Sequence, residues 1–365
     1  MVTRVMDLTG TRPRVRVDVI PSTSVELLMS VAKFGMEASR ETFEDGNTWF
    51  DAVRTKASPQ LRRDLARIGG KEGSGWGNLA GVALGLFRNS PPIQTVPEFI
   101  ACLEATAPRD LWLIMAGYHF LPLREDMGAE PFRRASEGNE AARRAIIRAD
   151  EKWRDNVDEL PPFLDMTPRA VKSGILSVLR RWHEEIFSDT ENEVRRTLER
   201  DARAKRALAS TISPEKLVEI ATNGIEFRGD PWIRTIVLVP HVVMRPWNAT
   251  GAWEDHSIIC YPVADESLGG DPSEPAPRMV RLYKALSDEK RLRILKRLTT
   301  GRATLQELAD SVGLAKSSAH HHMVILRSAG LVTVTDDLQR LYTLRMDAVP
   351  DASGLLQSFL KERPR

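Results

Sequence analysis

The stretch Thr304 to Tyr342, TLQELADSVGLAKSSAHHHMVILRSAGLVTVTDDLQRLY, decides how this chain is divided. Leu305, Leu308, Ala309 and Val312 recur at helical spacing, so one face can be buried while Gln306, Glu307 and Asp310 meet water. Thr304 and Glu307 have capping-box spacing, and Gly313 can take the left-handed conformation that ends a helix. A second helix is expected from Ser317, acting as its cap, to about Ser328, with Ala319, Met323 and Leu326 along one side. Ser317, His320, His321 and Val324 then fall on or near another side. Gly330 interrupts this helix, Leu331 to Thr335 is rich in branched residues, Asp336 and Asp337 mark a turn, and Leu338 to Leu344 returns. A small hairpin is expected there.

An exposed helix side bearing short donors and small apolar groups suits base edges in a DNA groove. Upstream lies RLYKALSDEKRLRILKRL, residues 281–298, and the quoted stretch closes in LYTL. Together these residues resemble the winged helix-turn-helix domain of ArsR-type transcriptional repressors, over roughly Met279 to Leu344, under a fifth of the chain. The likeness rests on the ALSDxxRLRIL entry, the HH pair, the LRxAGLV exit and the wing, in that order. It implies a double-stranded DNA operator as partner and a two-fold homodimer. The family's HH pair falls on His321 and His322, while His320 stands at a position often serine. Lys316 and Arg327 flank the second helix and Arg340 lies on the wing, so phosphate or minor-groove roles are expected for them. Ser317, Ser318, His320 and His321 are expected at base edges, and His322 as a packed ring.

The triple histidine does not make a metal site, because three successive helical residues point about 100 degrees apart and cannot share one ion. Metal sensors of the resembled family carry a cysteine pair just before or within the first helix, and the matching run here, RATLQELA, has none. The short tail has no histidine either. No metal or cofactor is expected, and the controlling signal is expected outside this domain.

At 365 residues with 42% hydrophobic composition, the chain can form two or three packed cores. Only Cys102 and Cys260 are present, which argues against a disulfide framework. No apolar run approaches the roughly 18 residues needed to cross a bilayer, and the start MVTRVMDLTGTRPRVRVDV lacks a signal-peptide core, so a cytoplasmic protein is expected. Net charge is +2, unevenly placed: Arg278 to Arg345 holds 13 Lys plus Arg against 6 Asp plus Glu, a net +7 that leaves −5 elsewhere. The cationic footprint for phosphates therefore lies in the tail domain.

The fold class expected is mainly α with small β elements. Residues 1–263 read as a mainly helical regulatory or dimerisation region with strands near 15–20, 232–244 and 257–263. Residues 264–277 read as a linker, 278–345 as the winged domain and 346–365 as a short amphipathic tail carrying Leu355, Leu356, Phe359 and Leu360. Within the first region Ser24 is expected to cap a helix, Gly128 to Glu137 reads as a loop, and Thr190 with Glu193 as a capping box opening a new helix. Ser287 is expected to cap the helix after Leu286. Asn248 to Asp255 reads as the connection between two strands. His241, Trp247, Trp253 and His256 are expected to line a pocket for a small organic effector.

No enzyme is expected. Gly69 to Gly81 lacks the ending of a phosphate loop and the last glycine of a dinucleotide fingerprint, and His183-Glu184-Glu185-Ile186-Phe187 lacks the second histidine of a zinc-protease helix. The reading is a dimeric repressor controlled through its front region, the alternative a constitutive or architectural DNA-binding protein, and, less favoured, an enzyme fused to a DNA-binding domain.

Overall fold

The structure, a computed structural model, describes residues 15–68, 74–87, 93, 95–151, 162–225, 227, 232–269, 274–334, 341–346 and 348–361. The chain is mainly helical with a few strands. It opens with β1 (Arg16–Val19), α1 (Thr23–Gly35), α2 (Gly46–Lys56), α3 (Pro59–Ile68), α4 (Ala80–Ala83), α5 (Val96–Ala105) and α6 (Pro108–Met115). It continues through α7 (Leu121–Met127), α8 (Ala129–Ser136), α9 (Glu140–Glu151), α10 (Pro168–Trp182), α11 (Ser188–Ala209) and α12 (Pro214–Ala221). Three strands follow, β2 (Thr235–His241), β3 (Ala249–Trp253) and β4 (His256–Pro262), then the short α13 (Asp265–Leu268). The last part holds α14 (Pro277–Leu286), α15 (Glu289–Leu298), α16 (Leu305–Val312), α17 (Lys316–Ser328), β5 (Val332–Val334), β6 (Tyr342–Leu344) and α18 (Ala348–Lys361).

The larger sheet has the order β1-β2-β4-β3, with β1, β2 and β4 parallel and β3 antiparallel to β4. Every residue of β2 is buried. Alternation sends Val237 and Val239 into a core shared with α1, α5, α6 and α10, while Ile236 and Leu238 enter a second core with α12. A strand covered on both faces reads as an unbroken apolar run, which is why its sequence does not alternate.

Several local expectations are revised. Ser22, not Ser24, caps α1, accepting from the Val25 amide, while the Ser24 hydroxyl donates to the Thr95 carbonyl. Gly128 to Glu137 is not a loop but mostly α8, supported by Arg133 pairing with Glu130 and Glu137 and by the buried Phe132. Thr190 and Glu193 cap nothing, because α10 passes through a π-wound segment, His183–Phe187, straight into α11. Asn248 to Asp255 holds β3, completing a hairpin with β4. Residues 264–277 are not simply a linker: α13 lies against α11, with Ser267 buried and donating to Asp201.

A buried ionic cluster anchors the end of the central strand. Lys33 on α1 is fully buried, donates to Asp45 and to the Val243 carbonyl just past β2, and sits over the rings of Phe43 and Trp49. Glu26, two helical turns earlier, accepts from the Val242 and Val243 amides, and burial pushes its carboxyl up to about 7. These contacts fix the 242–248 loop against α1 and the turn Glu37–Thr42. Trp247 joins the same seat, its indole donating to Thr42.

Candidate nucleic-acid interface

The helix-turn-helix is built from local signals. Thr304 accepts from the Glu307 amide and the Glu307 carboxylate accepts back from the Thr304 amide, so two orphan donors of α16 are satisfied. These bonds also hold the Glu307 carboxyl below its usual range. Gly313, at φ 64°, ends the helix, and Lys290 of α15 donates to the Val312 carbonyl at 3.2 Å. Ile294, Leu298, Leu308, Val312, Met323 and Leu326 share one core. This core fixes the crossing of α15, α16 and α17.

Two caps differ from the expectation. Asp288, not Ser287, caps α15 by accepting from the Arg291 amide, a bond that lowers its carboxyl. α17 begins at Lys316, with Ala315, two residues before the expected cap, in the capping position and no side-chain cap. Ser317 therefore has no capping duty and is exposed to solvent.

On α17, Ala319, Met323 and Leu326 are buried, while Lys316, Ser317, Ser318, His320 and His321 are exposed. Lys316 and His320, and likewise Ser317 and His321, stand four residues apart and so share a side of the helix. His322 turns inward: its side chain is 16% exposed and lies 3.7 Å from Asp288, and burial lowers its imidazole below the usual range. A proton on His322 is therefore disfavoured by desolvation although Asp288 favours it. The wing pairs Val332 with Leu344 and Val334 with Tyr342, and Tyr342 also bridges Ala303 ahead of α16. Arg340 lies outside the described residues.

Arg327, at the far end of α17, is only partly exposed and stands over the Trp247 ring at 5.9 Å. The sequence expectation places these two residues at separate sites. Their meeting joins positions 80 apart in the chain, a relation no local pattern signals.

The four residues expected to line an effector pocket do not converge. His241 ends β2, fully buried, with Nε2 bonded to the Trp247 carbonyl, and desolvation drives its imidazole down to about 3. Trp253 and His256 face each other across the β3–β4 hairpin, and His256 pairs with Thr235 at the opposite end of β2. The two pairs therefore sit at opposite ends of the sheet, roughly 20 Å apart at the usual strand rise. Trp253 has its own role, stacking on His119 at 4.0 Å beside the Glu254–Arg124 ion pair. Among the described residues, no group of three or more His, Cys, Asp or Glu could hold a metal ion. No described helix is long and apolar enough to cross a membrane.

A capped scaffold helix, a second helix with an open polar side and a short wing define a DNA-binding protein of the helix-turn-helix class. Residues 286–335 match the family model described as a helix-turn-helix domain. Among solved structures, an ArsR family transcriptional regulator is 24% identical, covering 24% of this chain and 99% of its own, with a TM-score of 0.21. HlyU from Vibrio cholerae N16961 is 29% identical over 23% of this chain and 94% of its own, with a TM-score of 0.19. No curated protein matches the chain. Residues 286–335 thus form a helix-turn-helix domain of the DNA-binding kind, carried behind a long front region.

Proposed function

We propose that this protein is a sequence-specific repressor that binds a double-stranded DNA operator as a homodimer in the cytoplasm, with operator affinity set by the front region through a small organic effector or a partner. The observation that carries the reading is the exposed start of α17, where Lys316, Ser317, Ser318, His320 and His321 stand clear of a buried Ala319–Met323–Leu326 side. Recognition helices place their N-terminal residues against base edges, and short hydroxyl donors with imidazoles suit that task. Lys316 is assigned to phosphate, Ser317, Ser318, His320 and His321 to bases, Arg327 to phosphate once it is released, and Arg340 to the wing's groove contact.

The homodimer rests on the family resemblance and on Leu356 and Leu360 of α18 and Tyr283 of α14, large apolar side chains left exposed on elements that touch each other. The effector is assigned to the front region as a whole, since His241, Trp247, Trp253 and His256 do not share a pocket. Selection of bound sequences from a random DNA pool tests the reading. Enrichment of an inverted repeat supports a dimeric specific repressor, and recovery of unrelated sequences favours the architectural alternative.

A further inference from the structure

Polar and ring contacts among the described residues hold the winged domain against the front region. Arg281 of α14 pairs with Glu44, which also takes Arg245 at 2.9 Å, while Arg245 reaches Asp265 and the Arg278 amide donates to Asp265. Arg345, just past β6, donates to the Asn223 carbonyl at 2.8 Å and to its side-chain oxygen at 2.6 Å. Asn223 itself is left-handed at φ 55°, and its amide fills the space beside Gly330 where any side chain would collide. The ring contact is Arg327 over Trp247.

The polar contacts grip the back of the winged domain: its first helix, the base of the wing and the turn after α17. The ring contact reaches onto the DNA-facing helix itself. Trp247 is not a loose surface ring, because its indole donates to Thr42 and its carbonyl is bonded to the buried His241. The front region thus offers a fixed aromatic face to one cation of α17 and leaves the start of that helix open.

We propose that Trp247 is an autoinhibitory seat: it withholds the Arg327 guanidinium from DNA phosphate, so that full engagement of α17 requires the winged domain to lift off the 242–248 loop. This rests on the proposed assignment of α17 to DNA. A guanidinium stacks through its face and binds phosphate through its edge, so the exclusion is one of position: an indole anchored to Thr42 and His241 keeps Arg327 against the front region while the winged domain rests there. Seat and DNA therefore compete for one residue, and whatever moves the 242–248 loop changes DNA affinity.

The test uses full-length protein and a fluorescein-labelled mixed-sequence DNA duplex, with affinity followed by anisotropy across a salt series. Trp247→Ala is expected to bind roughly two- to five-fold more tightly, the loss of one such aromatic contact. Its log-affinity against log-salt slope is expected to steepen by about 0.9, the signature of one added phosphate contact. In an Arg327→Ala background both effects of Trp247→Ala vanish. Asn223→Gly keeps the left-handed backbone, removes the side-chain grip on Arg345 and is expected to shift affinity in the same direction, which carries the test if Trp247→Ala fails to fold. Unchanged or weaker binding with an unchanged slope in the folded variants overturns the seat. Lys316→Ala separates the two readings: if it weakens binding while Trp247→Ala does nothing, only the seat falls; if it too leaves affinity and slope untouched, the DNA interface itself is wrong.

Discussion

At the scale of single residues, two buried titratable groups set opposite pH dependences. The Glu26 carboxyl is raised from 4.5 to about 7 by burial, outweighing the two amides that favour its charge. A carboxyl raised in the folded state binds its proton more tightly there than in the unfolded chain. Its contribution is therefore full below pH 4.5 and is lost as pH rises towards 7. Compared with wild type, Glu26→Gln is expected to gain relative stability across that window, on the order of 3 kcal/mol in total, read from urea unfolding at a series of pH values. His241 works the other way: its imidazole, driven from 6.5 to about 3, is kept neutral when folded, so its contribution fades as pH falls below 6.5. Packing imposes a further constraint at Gly81. A Cβ there would sit 2.0 Å from the Trp253 ring, which is buried and stacked on His119. Gly81→Ala is expected to cost about 1–3 kcal/mol by displacing that indole, seen as a lower urea midpoint. Retention of the wild-type midpoint would mean the hairpin shifts freely on the helices.

At the scale of elements, the readable parts are those whose stop and start signals are local. The Thr304–Glu307 box and Gly313 mark both ends of α16 because each bond spans a few residues. The same logic misses α8, whose eight residues offer only Phe132 and Ala135 as a buried apolar side, too short a repeat to stand out, and it fails at Thr190, where helical winding is continuous across a good capping pair. Ser317 reads as a cap because hydroxyls favour that position, yet Ala315 takes the extended conformation there and frees the serine for solvent. Thr304→Ala is expected to lower stability by about 1 kcal/mol without altering DNA specificity, since the cap lies on α16 and not on the side of α17 proposed to read bases. Lys316→Ala is expected to weaken binding on all duplexes alike and to flatten the salt slope by about 0.9, whereas Ser318→Ala or His321→Ala should change which sequences are preferred. Equal sequence preference in the latter two would remove them from the base-reading set.

At the scale of the whole molecule, fold class and the winged domain are legible in the sequence, while the relation between the two halves is not. Helical periodicity carries information over one or two turns, and strand composition marks β2 and β4 as buried without indicating that β1 pairs with β2. The Arg327–Trp247 and Arg345–Asn223 contacts join segments far apart in sequence, and each residue taken alone has an ordinary local explanation. Charge asymmetry does point to a division of labour, because a cationic end and an acidic remainder seldom share one polyanion.

The pairing of Arg16 with Thr235 also sets an order of events during synthesis. β1 leaves the ribosome about 220 residues before its parallel neighbour, a delay of roughly 10–40 s at ordinary elongation rates. Until then the front sheet has no centre, and its long-range closure is slow for the same entropic reason. The winged domain, rich in short-range contacts, emerges after the sheet and folds beside a surface that already exists. A nascent chain stalled before Thr235 is therefore expected to be protease-sensitive around α1, and one released past Pro262 to be resistant there.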